Sequence, residues 1–319
     1  MRIRAAVLIL PLLLPLATRA DTSPDHSCFA RALSADIRAQ RLDDLKLLIG
    51  WVFDNAAAHR APQPGDVIDH NSKMARVPGF AGATKLAALA GRYRVMRAPF
   101  DLGHGYFGIE IGALAPDGKV SSLFLVNRLF RLPVIAHQPA GVATDILTNG
   151  AMFTGITTRA LTDAEDAAGM ALGDAERLHV PLLTGGQSQA GGEAQLQAAW
   201  MQARRPERSV ATGFISLNAA PPVAAIRRLG LMPEKVEGIN FMKDLDPAFG
   251  PHGLLSNHIG LAVYIHPDGT AGAAPGRQST FAALRHPSQH LLASFNDVSL
   301  AQALASVLSA SLGRCPAPT

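Results

Sequence analysis

The run Leu182-Leu183-Thr184-Gly185-Gly186-Gln187-Ser188-Gln189-Ala190-Gly191-Gly192-Glu193-Ala194-Gln195-Leu196 constrains the fold of this chain more than any other stretch. Apolar residues enter a glycine cluster with one serine at its apex, and a helical pattern follows. Such a stretch reads as strand, sharp turn and helix, with the serine oxygen held proud of a sheet. Gly186 and Ala190 flank Ser188 with small residues, as a turn whose backbone packs closely requires. Ala194, Leu196, Ala198, Ala199 and Trp200 carry the helix onward. The amides of Ser188 and Gln189 then stand near a helix N-terminus, where N–H groups without acceptors favour a developing oxyanion. The motif is G-x-S-x-A rather than G-x-S-x-G, and the competing reading is a glycine-rich loop that caps a helix.

The 319 residues, 48% of them hydrophobic, suffice for a substantial core in one large domain or two small ones. The net charge of +4 and the pI near 9.3 come from arginines spread along the chain, with no long block of like charge. That pattern reads as a solvated basic surface and argues against nucleic-acid binding; weak attraction to anionic lipid is compatible with it. Arg2 and Arg4, then the apolar stretch Ala5 to Leu16, then Thr18-Arg19-Ala20, have the form of a cleaved secretory signal over residues 1–20. Pro11 and Pro15 interrupt the apolar stretch, which is also shorter than the roughly 17 residues a membrane span needs. The expected location is therefore bacterial export, periplasmic or extracellular, with no transmembrane segment in the mature chain. The two cysteines, Cys28 and Cys315, lie near its ends, and in an exported protein they are expected to form a disulfide. Closing so long a loop stabilises by roughly 4–5 kcal/mol in the chain-entropy description.

Leu42, Leu45, Leu48, Ile49, Val52 and Phe53 recur at helical spacing within a section from Phe29 to about His59. Lys85 to Ala90 suggests a short helix. Tyr106–Ala113 and Val120–Asn127, either side of Asp117-Gly118, form a hairpin pattern. Pro133 to Ala136 is a further short strand. Ala160 to Arg177 is helical, with Thr162 and Glu165 spaced as a capping box. Strands are expected at His179–Thr184, Val210–Asn218, Val236–Met242, Leu261–His266 and Gly269–Ala273, and a final helix at Ser299–Leu312. The alternation gives an α/β fold with a mostly parallel central sheet flanked by helices. Residues 21–319 read as one domain, an N-terminal helical section over 21–100 followed by the core over 101–319.

A serine becomes a nucleophile when a histidine takes its proton, and a carboxylate must orient that histidine. Downstream of Ser188, the first acid after a strand that also ends in a polar loop is Asp244, with Asp246 two residues on. His252, His258, His266, His286 and His290 follow, and spacing alone does not choose among them. No trio of His, Asp or Glu has metal-ligand spacing, so neither metal nor cofactor is expected.

Several segments, in order, resemble the class 3 (fungal-type) lipases and their bacterial phospholipase A1-like relatives. Gly186 to Leu196 is similar to the family's GHSLGGALAQL elbow and helix, Asp145 to Asn149 to its DWLTN, and Phe214 to Pro221 to its FNAP turn. Asp244-Leu245-Asp246-Pro247 resembles DIVP, and Gln289 to Phe295 resembles DHLSYF. The resemblance implies an α/β-hydrolase fold and a lipase or phospholipase A1-like activity on lipid esters. It assigns the nucleophile to Ser188, the triad acid to Asp244 with Asp246 as its rival, and the base to His290. His258, in Asn257-His258-Ile259-Gly260, takes a non-catalytic role beside the site and is the alternate base; His286 shares a helical face with His290 if that stretch is helical. The implied oxyanion donors are the amides of Gln189 and Ala140. The chain departs from the family where FRGT becomes His137-Gln138-Pro139-Ala140, since proline has no amide to donate. Gln187 stands where the family has histidine. Thr144 to Thr158, with Ile146, Leu147, Met152, Phe153 and Ile156, reads either as a lid with a lipid-facing side or as a buried helix and loop. A small-ester carboxylesterase or acyltransferase, and a catalytically inactive hydrolase-fold binding protein, are the rival functions.

Overall fold

The computed structural model describes residues 27–57, 61–66, 68, 86–100, 104–128, 147–148, 150–204, 210–248, 250 and 259–310. Among the described residues eight strands form one sheet in sequential order, β1 (Tyr93–Phe100), β2 (Gly108–Leu114), β3 (Val120–Asn127), β4 (Leu182–Gln187), β5 (Thr212–Leu217), β6 (Gly238–Lys243), β7 (Leu261–Ile265) and β8 (Ala271–Gly272). Neighbouring strands from β3 to β7 pair parallel, whereas β1–β2, β2–β3 and β7–β8 pair antiparallel. The helices are α1 (Ser27–Ala32), α2 (Leu42–Ala57), α3 (Arg159–Leu178), α4 (Gln189–Arg204), α5 (Val223–Arg228), α6 (Thr280–Leu284) and α7 (Leu300–Ala310), with a π-helical turn at Ile37–Arg41. The mostly parallel sheet with flanking helices is the expected α/β architecture.

Side-chain alternation along the strands sends neighbours to opposite faces. Phe124, Val126, Leu183, Ile215, Leu217 and Phe241 face α1, α2 and α7 in one apolar core. Leu123, Leu125 and Leu182 face α3 on the other side, where Ala164, Ala167, Ala168, Ala171 and Ala175 let that helix approach closely. The periodic residues of α2, from Leu42 to Phe53, are all buried. Its first turn also caps α7, because Asp43 accepts from the Leu300 N–H at 2.7 Å and the Ser299 hydroxyl at 2.8 Å.

Three expectations change. Strand β1 lies within residues 21–100, which read as helical: Arg97 and Pro99 interrupt its alternation, where two register shifts against β2 fall. An edge strand tolerates such residues. Helix α3 is capped by Thr158, which accepts from Leu161 N at 3.3 Å, and Thr162 sits inside the first turn, donating to the Thr158 carbonyl. The strand before the serine starts at Leu182 and runs through Gly185 and Gly186 to Gln187. The expected strand at 133–136, the signal over 1–20, and Cys315 lie outside the described residues. No helix among the described residues is long and apolar enough to cross a membrane.

Candidate active site

Strand β4 and helix α4 meet at Ser188. Its N–H donates to the Leu217 carbonyl at 3.0 Å, continuing the ladder to β5, while its own carbonyl accepts from Gly192 N and Ala220 N. Ser188 is thus strand end and helix cap at once, and its φ of 60° lies in the left-handed region. A residue with a side chain sits there at a cost of about 1–3 kcal/mol, and such strain gathers at functional sites. The small neighbours make the turn possible. A Cβ on Gly186 would collide with the Ala190 carbonyl group and fall 2.8 Å from the Ala190 Cβ. One on Gly191 would fall 2.8 Å from the Ala219 Cβ, and one on Gly192 would meet the Ala220 carbonyl oxygen.

The Ser188 hydroxyl lies 2.8 Å from His290 Nε2, and His290 Nδ1 lies 2.9 Å from Asp246 Oδ2. Asp246 is fully buried, and its other oxygen accepts from Ala248 N at 2.7 Å. A carboxylate only accepts, so the Nδ1 proton belongs to this bond and Nε2 is left to accept from serine. His290 closes a short 3₁₀ turn, Pro287–His290, and keeps one edge open to solvent.

Asp244, the acid first expected to orient His290, pairs instead with a different histidine. Its Oδ2 accepts from His266 Nδ1 at 2.6 Å and from Gly276 N at 2.9 Å. The backbone explains the exchange. Asp244 N still bonds Ile265 O, which holds the residue on the β7 side of the sheet. The Asp246 N–H then turns back to Lys243 O at 3.0 Å, bringing the second carboxylate under His290. His266 is occupied by Asp244, and His286 is exposed at the head of the 3₁₀ turn. His252, His258, Asp145 and Ala140 lie outside the described residues. Gln189 is the first residue of α4, where an N–H has no intrahelical acceptor. The Ser188 N–H is given to the Leu217 carbonyl, so of the two amides Gln189's is the one at the helix start. In the stretch expected as lid or buried helix, Met152 is buried against the first turn of α4, whereas Leu147 and Ile156 are exposed.

Two positioning residues had no role assigned from sequence. Gln187 Nε2 donates to the His290 carbonyl at 2.5 Å. Asn218 Nδ2 donates to the Gln289 carbonyl at 2.8 Å, and its Oδ1 accepts from Lys243 N at 2.9 Å. Asn218 also has a positive φ of 42° at the end of β5. These two side chains tie the histidine segment to the ends of β4, β5 and β6. The signal was present: Gln187 replaces a histidine in the elbow, and Asn218 heads the asparagine turn.

The strained serine between a parallel strand and a helix decides the architecture. The fold is that of an α/β hydrolase. No family model and no curated protein matches the sequence. Solved structures similar to it include the extracellular lipase LipA from Serratia marcescens, at 12% identity and a TM-score of 0.47, covering 83% of this chain and 51% of that one. Lipase II from Rhizopus niveus is 11% identical with a TM-score of 0.44, covering 81% of this chain and 94% of that one. The native Rhizomucor miehei lipase propeptide complex is 11% identical with a TM-score of 0.41, covering 73% and 70%. The chain spans about half the length of the Serratia lipase. Among the described residues no group of three or more His, Cys, Asp or Glu is placed to hold a metal ion.

Proposed function

We propose that this chain is a serine hydrolase that cleaves carboxylic esters of lipids through an acyl-enzyme. The observation that carries the reading is the unbroken line of contacts from Ser188 Oγ through both ring nitrogens of His290 to Asp246. Ser188 attacks the acyl carbonyl while His290 Nε2 takes its proton. Buried Asp246 holds the ring and stabilises the imidazolium that forms. The Gln189 amide receives charge on the carbonyl oxygen, and Ala140 or its neighbour Gly141 is the second donor in this reading. His290 returns the proton to the leaving alcohol, then activates water to release the acid. Exposed Leu147, Ile156 and Leu291 favour an apolar acyl substrate over a small soluble ester.

The reading includes export behind a cleaved signal over residues 1–20 and a Cys28–Cys315 bridge, both open to peptide mapping of the secreted protein without reductant. The test of function is a panel of soluble p-nitrophenyl esters, emulsified triacylglycerol and phospholipid vesicles, with Ser188→Ala as control. Serine-dependent release of fatty acid from lipid supports the reading. Turnover confined to short soluble esters replaces it with a carboxylesterase, and no turnover on any ester replaces it with a binding protein.

A further inference from the structure

The segment that delivers His290 has an apolar outer side. Ser279 caps α6 by accepting from Ala282 N at 3.1 Å, and Ala283 faces the interior. Phe281 and Leu284, three residues apart, share the opposite side, where Phe281 is 75% exposed and Leu284 nearly half exposed. Leu291, the residue after the histidine, is also nearly half exposed, while Leu292 and Phe295 beyond it are buried and pin the segment to the core. Elsewhere, Leu147 and Ile156 are 68% and 63% exposed, at either end of a segment whose Met152 packs on the first turn of α4. Three of the seven large exposed apolar side chains among the described residues, Phe281, Leu284 and Leu291, therefore stand on the one segment that carries His290. Isolated apolar residues on a surface need no explanation, but three large ones on one short segment do.

Charge indicates what covers this group. No carboxylate occurs in the sequence between Asp268 and Asp297, whereas that stretch holds Arg277, Arg285, His286 and His290. Arg277, Arg285 and His286 are all exposed. A short helix that shows phenylalanine and leucine outward with arginines beside them has the composition of an interfacial anchor.

We propose that α6 and the flanking residues up to Leu291 dock on a lipid surface bearing anionic headgroups, with Phe281, Leu284 and Leu291 entering the interface and Arg277 and Arg285 engaging its charge. Docking there brings the segment that carries His290 against the lipid. The inference rests on the proposed ester-hydrolase reading for its purpose, but binding is measurable without turnover. Each basic residue near an anionic surface contributes about fivefold in partitioning.

The test uses the full-length mature Ser188→Ala protein, co-sedimented with phosphatidylcholine vesicles with and without phosphatidylglycerol. The expected result is partitioning at least about tenfold stronger on the anionic vesicles and weakened by salt. The pair Arg277→Gln/Arg285→Gln should remove most of that preference, and Phe281→Ser/Leu284→Ser should cut partitioning about tenfold on both vesicle types. In the active protein the same substitutions should leave soluble-ester turnover within about twofold, which also shows that they fold. Equal partitioning of the parent and both pairs overturns the proposal. A concentration-dependent dimer abolished by Phe281→Ser also overturns it, since a second copy would then be what covers the patch. Loss of ester turnover in the parent protein would instead defeat the hydrolase reading while leaving the vesicle result standing.

Discussion

Two carboxylates, Asp244 and Asp246, sit two residues apart, each fully buried and each holding a histidine, so exchanging each for its amide separates their roles. In Asp246→Asn the group facing His290 Nδ1 loses its negative charge at a fully buried position. The amide can present an N–H to Nδ1, which turns the imidazole to the wrong tautomer for accepting the serine proton. In serine proteases the equivalent change costs about 10⁴ in kcat, which is about 5.4 kcal/mol of transition-state stabilisation. We expect a loss of about 10³–10⁴ in kcat for Asp246→Asn with KM little changed. Asp244→Asn touches neither Ser188 nor His290, so kcat should stay within about tenfold. Its penalty falls on stability, at about 1.5–3 kcal/mol for the weakened bonds to His266 and Gly276. The assay is steady-state hydrolysis of a soluble p-nitrophenyl ester, with thermal unfolding of both variants to confirm the fold. An inactive, folded Asp244→Asn beside a fully active Asp246→Asn would refute the reasoning.

Three further outcomes follow from the geometry. Gln187→Ala and Asn218→Ala each remove a bond that holds the His290 segment, and each should lower kcat on a soluble p-nitrophenyl ester by about tenfold to a hundredfold with KM little changed; unchanged kcat in both would contradict a positioning role. Gly186→Ala places a methyl against Ala190 at the elbow and should destabilise by about 1–3 kcal/mol, lowering the unfolding midpoint in urea. Glu110, buried in β2 beside Asp174 and Arg97, has its carboxyl pushed from 4.5 up to about 8, first by burial and then by Asp174. The folded state thus holds this proton more tightly than the unfolded chain, so the contribution of Glu110 to stability is greatest below pH 4.5 and falls as pH rises toward 8. Glu110→Gln should flatten the decline of melting temperature across that window, and an unchanged slope would contradict the assignment.

The elbow was legible because close packing leaves few residues possible at Gly186, Ala190 and Gly191, and the hairpin was legible because Asp117-Gly118 separates two apolar runs. Strand β1 was not, since an edge strand satisfies its pairing through the backbone while Arg97 and Pro99 interrupt the alternation. The choice between Asp244 and Asp246 was beyond a linear reading. Both follow β6, and only the hydrogen bonds Asp244 N to Ile265 O and Asp246 N to Lys243 O decide which side of the sheet each carboxylate meets. The supporting roles of Gln187 and Asn218 are likewise tertiary, because their acceptors lie more than seventy residues away.

The central claim is that Ser188 is activated by His290, and covalent labelling tests it most directly. The purified mature protein, treated with a fluorophosphonate and mapped by peptide mass spectrometry, should carry a single adduct on Ser188, lost in Ser188→Ala and strongly slowed in folded His290→Ala. An adduct on another residue, or labelling of Ser188 at the same rate without His290, would contradict the account.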